Sequence, residues 1–541
     1  MDDRDYADLG LLPPPARRPI PGPVQDIATL LDLQLDRDPN VPALAGKHAR
    51  YTYAELDAAV NAAAAALAER GVARGVRVAM SIANHPEIVI AFLAVQRLAG
   101  IWVGINLALA AAEKAKLIET AGVSLLIAEA ETIEAVLPQL AAPVATLAVE
   151  AGAESAWSAA LAAHAGAPRP AVEIDPFAPA AIAFTSGTTG VPKGVVHSQH
   201  NMAVVLEGRL ASAPDQYKPV DGVGLPLTIL NLIILGPLSS FRVGGLSVCI
   251  ETLHPPVVAR RIAEEKISSM QMAPPTLYDL LTRPDIARED IATLTNASVG
   301  DAHVPDSLRQ RYFDAFGRES TFGYGLTEAP TAVCATRADR PRRAASSGLP
   351  FVHLDVAILD AEGARVAQGE TGEICVRAVS DGVWADVYTP MLGYWHRPED
   401  SAKALKDGWL HTGDVGLLDE FGEVNVKDRA KDLILRGGAN VYPAEIERLI
   451  LDIPGVAACA VVGLPDERLG ETVAAVIQPD PAAERAELLA RVQAICASSL
   501  AKYKVPAHWF LRDEMPRNQM NKVVKPKLIE QLVEETAAAA A

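Results

Sequence analysis

The sequence predicts an α/β protein: a large N-terminal domain of helix-covered sheets containing parallel strands, then a small α+β domain at the C-terminal end. Three observations predict it. A chain of 541 residues is too long for one hydrophobic core and suggests roughly three or four units of about 150 residues. Helix-like and strand-like patterns alternate as far as about Glu423, the succession that gives parallel sheets covered by helices. After the charged run Ala430-Lys431-Asp432 the pattern restarts, which divides the chain into residues 1–430 and 431–541.

The elements follow in order. Thr52-Tyr53-Ala54-Glu55 has the spacing of a capping box, and Leu56, Val60, Ala64 and Leu67 then recur on one helix face. Val76, Val78, Met80 and Ile82 alternate as a strand. His85-Pro86-Glu87 starts an apolar helix over residues 88–98, with Pro in its first turn. Residues 132–181 are rich in Ala and Pro and read as variable helical surface leading into an apolar strand at 180–185. Gly348-Leu349-Pro350 and Gly369-Glu370-Thr371-Gly372 punctuate the later alternation. Val424-Asn425-Val426-Lys427-Asp428-Arg429 alternates as the last strand before the boundary. In the small domain, residues 457–462 and 472–477 read as strands and 482–500 as a helix. No internal repeat is evident.

Composition excludes some classes of function. A formal net charge of −18 disfavours nucleic acid, whose affinity comes largely from Lys and Arg neutralising phosphates, and equally disfavours anionic membrane surfaces. Cys249, Cys334, Cys375, Cys459 and Cys496 are scattered without Cys-x-x-Cys spacing, so they read as small buried hydrophobes in a reducing compartment, with no disulfide or metal role. The opening Met1-Asp2-Asp3-Arg4-Asp5 lacks the basic and apolar regions of a signal peptide, so a cytoplasmic protein is expected. The longest apolar run, residues 225–238, contains Thr228, Asn231, Gly236 and Pro237 and falls short of the roughly 20 residues that span a bilayer. No membrane insertion is expected from it.

The segment Thr185-Ser186-Gly187-Thr188-Thr189-Gly190-Val191-Pro192-Lys193-Gly194 follows the apolar strand and packs glycines, hydroxyls and one cation into ten positions. Backbone N–H groups, hydroxyls and an ammonium can surround phosphate oxygens, so the segment suits the tail of ATP. A Walker A loop needs Lys directly after Gly, whereas Lys193 follows Pro192. A lone Gly-rich stretch would read as a surface turn; the Pro-Lys-Gly ending is what makes this one specific.

This segment resembles a motif of the adenylate-forming superfamily, which contains acyl-CoA synthetases, hydroxycinnamate-CoA ligases, luciferases and the adenylation domains of peptide synthetases. Further motifs follow in the family's order from about Tyr51 to Lys525. Gly323-Tyr324-Gly325-Leu326-Thr327-Glu328 is similar to the motif whose aromatic lies near adenine, whose Thr meets phosphate and whose Glu helps to hold magnesium. Gly408-Trp409-Leu410-His411-Thr412-Gly413-Asp414 resembles the one whose Asp accepts hydrogen bonds from both ribose hydroxyls. Asp428-Arg429 adds an Arg for ribose or phosphate, and Lys431 falls where the family has its interdomain hinge. Gly437-Gly438-Ala439 resembles the loop that lines the CoA tunnel. Pro516-Arg517-Asn518-Gln519-Met520-Asn521-Lys522 resembles the catalytic-lysine motif, with Asn521 where Gly is usual. Taken one by one, these residues would read as turns and solvated charges.

The resemblance implies an AMP-forming acid–CoA ligase using ATP, Mg2+ and CoA, with a mobile small domain. The substrate carboxylate would attack the α-phosphorus of ATP, releasing pyrophosphate; the CoA thiol would then attack acyl-AMP, releasing AMP. Lys522, Thr327 and Glu328 are the catalytic candidates, with Glu328 and Thr188 on the metal. Thr185 to Gly190, Lys193, Gly300-Asp301-Ala302, Gly323, Tyr324, Gly325, Asp414 and Arg429 are the nucleotide candidates. The acyl pocket is expected at Leu227, Thr228, Ile229, Val299 and Leu326, where an apolar lining and the absence of an early Asp favour a fatty, alicyclic or arylalkanoic acid over an amino acid. A purely structural role for residues 225–238 stays open. So do transfer of the acyl group to a carrier protein or other acceptor, and a catalytically silent relative. A homodimer is also carried as an expectation.

Overall fold

The computed structural model describes residues 3–185, 192–212, 218–299, 306–337, 340, 343, 346–429, 432–436, 439–466, 469–518 and 522–540. Four sheets organise them. In the first, Ile101–Gly104, Arg77–Ser81, Leu125–Ala128 and Ala145–Ala148 run parallel. The helices Pro86–Arg97, Ala111–Ala121 and Ala130–Val136 link successive strands. Ile101–Gly104, Arg77–Ser81 and Leu125–Ala128 are buried almost throughout, with Val78, Ala79, Met80 and Ser81 buried in succession rather than in the expected alternation, as in parallel sheets covered on both faces. The expected helix forms at Tyr53–Glu69 with Thr52 as its cap, and the Thr52 and Glu55 side chains complete the capping box.

One expectation needs correction. Residues 132–181 are not merely helical surface, since Ala145–Ala148 adds an edge strand to the first sheet and the helix Ala156–Ala163 buries Trp157 at 2 % exposure. Ala-Thr-Leu-Ala exposes its first two residues, so the strand has no alternation for a sequence reading to detect. Four of the five cysteines are buried as expected, and Cys459 is partly so; all are free thiols.

The first sheet ends in antiparallel additions. Pro179–Thr185 pairs with Lys193–Ser198, closing the Gly-rich segment as a hairpin with Thr185 opposite Lys193. The two-residue strand Gly393–Tyr394 pairs with the outer edge of Lys193–Ser198. The second sheet has nine strands. Its parallel part contains Asn296–Val299, Ser269–Met272, Val220–Val223 and Leu246–Cys249, and Thr321–Leu326 begins parallel to Asn296–Val299 before pairing antiparallel with Thr331–Ala335. The third sheet is antiparallel, with Trp409–Leu418 between Gly372–Ala378 and Val424–Arg429.

A fourth sheet is formed by Ala439–Val441, Ile434–Arg436, Gly470–Pro479, Val456–Asp466 and His508–Leu511. Helices Pro443–Leu451 and Arg485–Ser499 cover one face through Ile446, Ile450, Leu488 and Val492. Leu528 and Leu532 of Lys525–Ala540 pack on residues of the other face, including Ala460 and Val462. Among the described residues no strand of this sheet pairs with the other three. No described helix is long and apolar enough to cross a membrane.

Candidate active site

The hairpin fixes both ends of the Gly-rich segment, while residues 186–191, and with them the expected Ser186, Gly187, Thr188, Thr189 and Gly190, lie outside the described residues. Thr185 Oγ1 donates to the Lys193 carbonyl at 3.5 Å. Lys193 Nζ donates to Asp400 Oδ1 at 2.9 Å and lies 4.9 Å from the centroid of the Tyr394 ring. The ammonium holds the Asp400 carboxyl below the usual carboxylate range. With the two side chains 20 % and 30 % exposed, such a pair contributes only about 0–1 kcal/mol. A polyphosphate could replace the carboxylate at little cost.

Tyr324, Thr327 and Glu328 descend from the end of Thr321–Leu326. Gly325 is required there, because a β-carbon on it would lie 1.7 Å from the Thr331 carbonyl oxygen. Thr331 itself has φ +98°, a strained value for a β-branched residue and one that tends to cluster at functional sites. His197 Nε2 donates to the Thr327 carbonyl at 2.8 Å. Burial pushes the His197 pKa down to about 4, so the ring is neutral at pH 7 and carries its proton on Nε2. The backbone of Glu328 accepts from Met391 N at 2.8 Å, and its side-chain Oε1 accepts from the Tyr394 hydroxyl at 3.0 Å. A carboxylate oriented in this way offers the hard oxygen ligand that magnesium takes. The fit is one of donor chemistry, and Thr188, the other expected ligand, is not described.

Asp414 sits in Trp409–Leu418 at 7 % exposure, and the Tyr324 hydroxyl donates to its Oδ2 at 2.6 Å. Two motifs ninety residues apart in sequence thus meet directly. Burial and the Asp414 charge hold the Tyr324 hydroxyl well above its ordinary range, so it remains a donor. Arg429 lies opposite Asp414 in the strand register. Glu373 buttresses the turn before Asp414, with Oε1 accepting from Gly413 N at 2.9 Å and Oε2 lying 2.8 Å from His411 Nδ1. Cys375 Sγ, read from sequence as packing alone, is 3.5 Å from the same ring nitrogen.

The expected acyl segment is locked by a residue that the sequence reading passed over. Asn84 Nδ2 donates to the carbonyls of Val223 at 3.1 Å and Leu225 at 2.8 Å, and its Oδ1 accepts from Leu227 N at 2.8 Å. Leu227 and Thr228 are buried and Ile229 partly so. The Thr228 carbonyl approaches Gly104 so closely that a β-carbon there would lie 1.8 Å away. The chain then turns into Leu230–Ile233 and a π-helical turn, Ile234–Leu238, containing Pro237, a distortion often found near functional sites. Thr228 Oγ1 and Asn231 Oδ1 are buried without a hydrogen-bond partner among the described residues. Val299 ends its strand beside Met272 and Phe322; Gly300, Asp301 and Ala302 are outside the described residues. Leu326 is partly buried beside the main core.

In the fourth sheet Ala439 pairs with Arg436 across a hairpin whose Gly437 and Gly438 are not described, nor is Lys431. Lys522 stands on a second hairpin, where Arg517 bridges to Val523. Asn518 N donates to the Lys522 carbonyl at 2.8 Å, and Lys522 N donates to Asn518 Oδ1 at 3.0 Å. Tyr394 and Asp400 were also missed from sequence. Their signal was present, as Gly393-Tyr394-Trp395 with Pro398-Glu399-Asp400 shortly after, but nothing local said that it faced Lys193.

Comparison with known proteins shows the family. Residues 31–395 match the AMP-binding enzyme family, and residues 445–522 match the AMP-binding enzyme C-terminal domain. The chain is 33 % identical to the long-chain-fatty-acid–CoA ligase FadD13 of Mycobacterium tuberculosis, over 89 % of this chain and 93 % of that one. It is 34 % identical to a feruloyl-CoA synthase of Amycolatopsis, over 88 % and 92 %. ATP-bound MatB from Rhodopseudomonas palustris superposes with a TM-score of 0.83 at 26 % identity, over 94 % of this chain and 99 % of that one. The protein therefore belongs to the AMP-binding enzyme family, within the acyl-CoA synthetase branch of the adenylate-forming superfamily.

Proposed function

We propose that this enzyme joins a carboxylic acid to CoA in two steps, through an acyl-AMP. The observation that supports it most is the convergence of separate motifs: Tyr324 on Asp414, and Glu328 and Lys193 on one aromatic residue. In the first step a carboxylate oxygen, already ionised at pH 7, attacks the α-phosphorus and pyrophosphate leaves. Two anions must meet, so positioning and charge neutralisation are the main catalytic terms. Asp414 and Arg429 hold the ribose, Lys193 with the Gly-rich segment holds the departing phosphates, and Lys522 neutralises the reacting centre. Magnesium, when bound at Glu328, supplies further neutralisation of the polyphosphate.

In the second step the CoA thiol gives up its proton to solvent, its sulfur attacks the acyl carbonyl, the acyl–phosphate bond breaks, and AMP leaves. We assign residues 1–430 to the large domain and 431–541 to the small one, with Lys431 as the hinge that exchanges Lys522 for the Gly437-Gly438-Ala439 loop. The acid we infer is fatty, alicyclic or arylalkanoic, because the residues expected to line its pocket include the apolar Leu227, Ile229 and Leu326. The test is a panel of such acids with ATP and CoA, scored for thioester. Pyrophosphate release without thioester would refute CoA as the acceptor and point to a carrier protein or another nucleophile.

A further inference from the structure

Tyr394 touches both halves of the polyphosphate machinery and belongs to neither of the motifs assigned to it. Its hydroxyl donates to Glu328 Oε1 at 3.0 Å, and its ring face lies 4.9 Å from Lys193 Nζ, within the range of a cation–π contact. The side chain is 8 % exposed. The hydroxyl is the donor in this pair, because an ionised carboxylate oxygen can only accept. Glu328 therefore has one carboxylate oxygen fixed, and Lys193 one direction of approach fixed, by the same phenol.

The backbone around Tyr394 is tied at several points. Gly393 and Tyr394 pair with Val196 and Val195, Trp395 N donates to the Gly194 carbonyl at 2.8 Å, and Met391 N donates to the Glu328 carbonyl at 2.8 Å. Tyr394 N donates to Ser401 Oγ at 2.8 Å. An N-terminal arm closes over the outside: Leu12 N donates to the Leu392 carbonyl and His396 N to the Leu9 carbonyl, while Ser401 Oγ lies 3.0 Å from the Gly10 carbonyl. A phenol held in this way does not drift with the groups it touches. It sets their positions.

We propose that Tyr394 is a positioning residue for ATP: its hydroxyl orients the Glu328 carboxylate toward the metal, its ring places the Lys193 ammonium toward the phosphates, and Asp400 is the counter-ion that the phosphates replace. The proposal rests on the adenylation reading above. It also explains why Lys193 is paired with Asp400 at 2.9 Å although a phosphate ligand must give up that partner. The Asp400 pair keeps the cation in place between turnovers.

The test uses the full-length chain with α,β-methylene-ATP, which cannot be cleaved at the reacting bond. Mn2+ bound in its presence is counted by electron paramagnetic resonance, and analogue binding without metal is measured by calorimetry. Tyr394→Phe removes only the hydroxyl. It should weaken Mn2+ binding about tenfold, the effect of losing a hydrogen bond to a charged group, and leave metal-free analogue binding within about twofold. Tyr394→Leu removes the ring as well and should weaken both. Asp400→Asn should tighten metal-free analogue binding, because a competing anion is gone. Wild-type Mn2+ affinity in Tyr394→Phe, or equal losses of metal and analogue in that variant, would overturn the proposal, the second pattern being that of a merely structural residue. Failure of the wild-type chain to bind the analogue or to exchange pyrophosphate would instead overturn the adenylation reading itself.

Discussion

His353 allows a prediction whose magnitude comes directly from its surroundings. The ring is 1 % exposed and lies among Phe351, Trp384 and Tyr388, with centroids 5.7–6.1 Å away. Neither ring nitrogen has a hydrogen-bond partner among the described residues, and a β-carbon on Gly208 would lie 2.0 Å from Nδ1. Burial alone pushes the pKa down to about 3, against about 6.5 in the unfolded chain. Above pH 6.5 both states hold the neutral ring and there is no penalty. As the pH falls from 6.5 toward 3, the unfolded chain takes a proton that the folded chain refuses, so stability is lost. By linkage the loss between pH 7 and pH 5 is about 2 kcal/mol for this one residue. His197 and His200, each lowered to about 4, act in the same direction, and Asp221, raised to about 7, acts in the opposite one. All three cancel when wild type is compared with His353→Leu. Urea unfolding followed by tryptophan fluorescence, to which Trp384 contributes, should give the variant a pH dependence shallower by about 2 kcal/mol over that interval. Parallel pH profiles would refute the reasoning.

Three further outcomes are expected. Gly325→Ala forces a β-carbon into the Thr331 carbonyl and must move the Tyr324–Glu328 backbone; pyrophosphate exchange should fall by about a hundredfold or more, and exchange within about twofold of wild type would contradict the close approach. Tyr324→Phe removes a donor from the largely buried Asp414 carboxylate and should cost about 1–3 kcal/mol of stability in urea unfolding, whereas no change would show that the bond is idle. Deleting residues 1–12 removes the arm that braces residues 392–401. Exchange should fall about tenfold with a shift in thermal midpoint of only a few degrees, and unchanged exchange would mean that the arm is ornamental.

Much of the fold was legible because its signals were local. Thr52 and Glu55 announce their helix through a capping box, and the first sheet shows as short apolar runs separated by helices. The edge strand Ala145–Ala148 was not legible, since half-exposed Ala and Thr carry no period. In the candidate site, Asp414, Glu328 and Lys193 stand in motifs whose order can be read directly along the sequence. The residues that hold them do not: Asn84, Tyr394 and Asp400 act on partners 139 to 207 positions away or, for Tyr394, 66. Their chemistry is ordinary hydrogen bonding, which becomes specific only after the chain has folded.

The N-terminal arm also has a consequence for how the chain is made. Beyond their local bonds, Leu9, Gly10 and Leu12 meet His396, Ser401 and Leu392, nearly four hundred positions later. During synthesis at about 5–20 residues per second, Leu9, Gly10 and Leu12 must therefore wait some tens of seconds for the segment they clasp. Leu11, which ends at 3 % exposure, belongs to a core cluster that Leu392 and Trp395 complete. The clasp thus joins segments made far apart in time, and a chain cut short before residue 392 cannot form it.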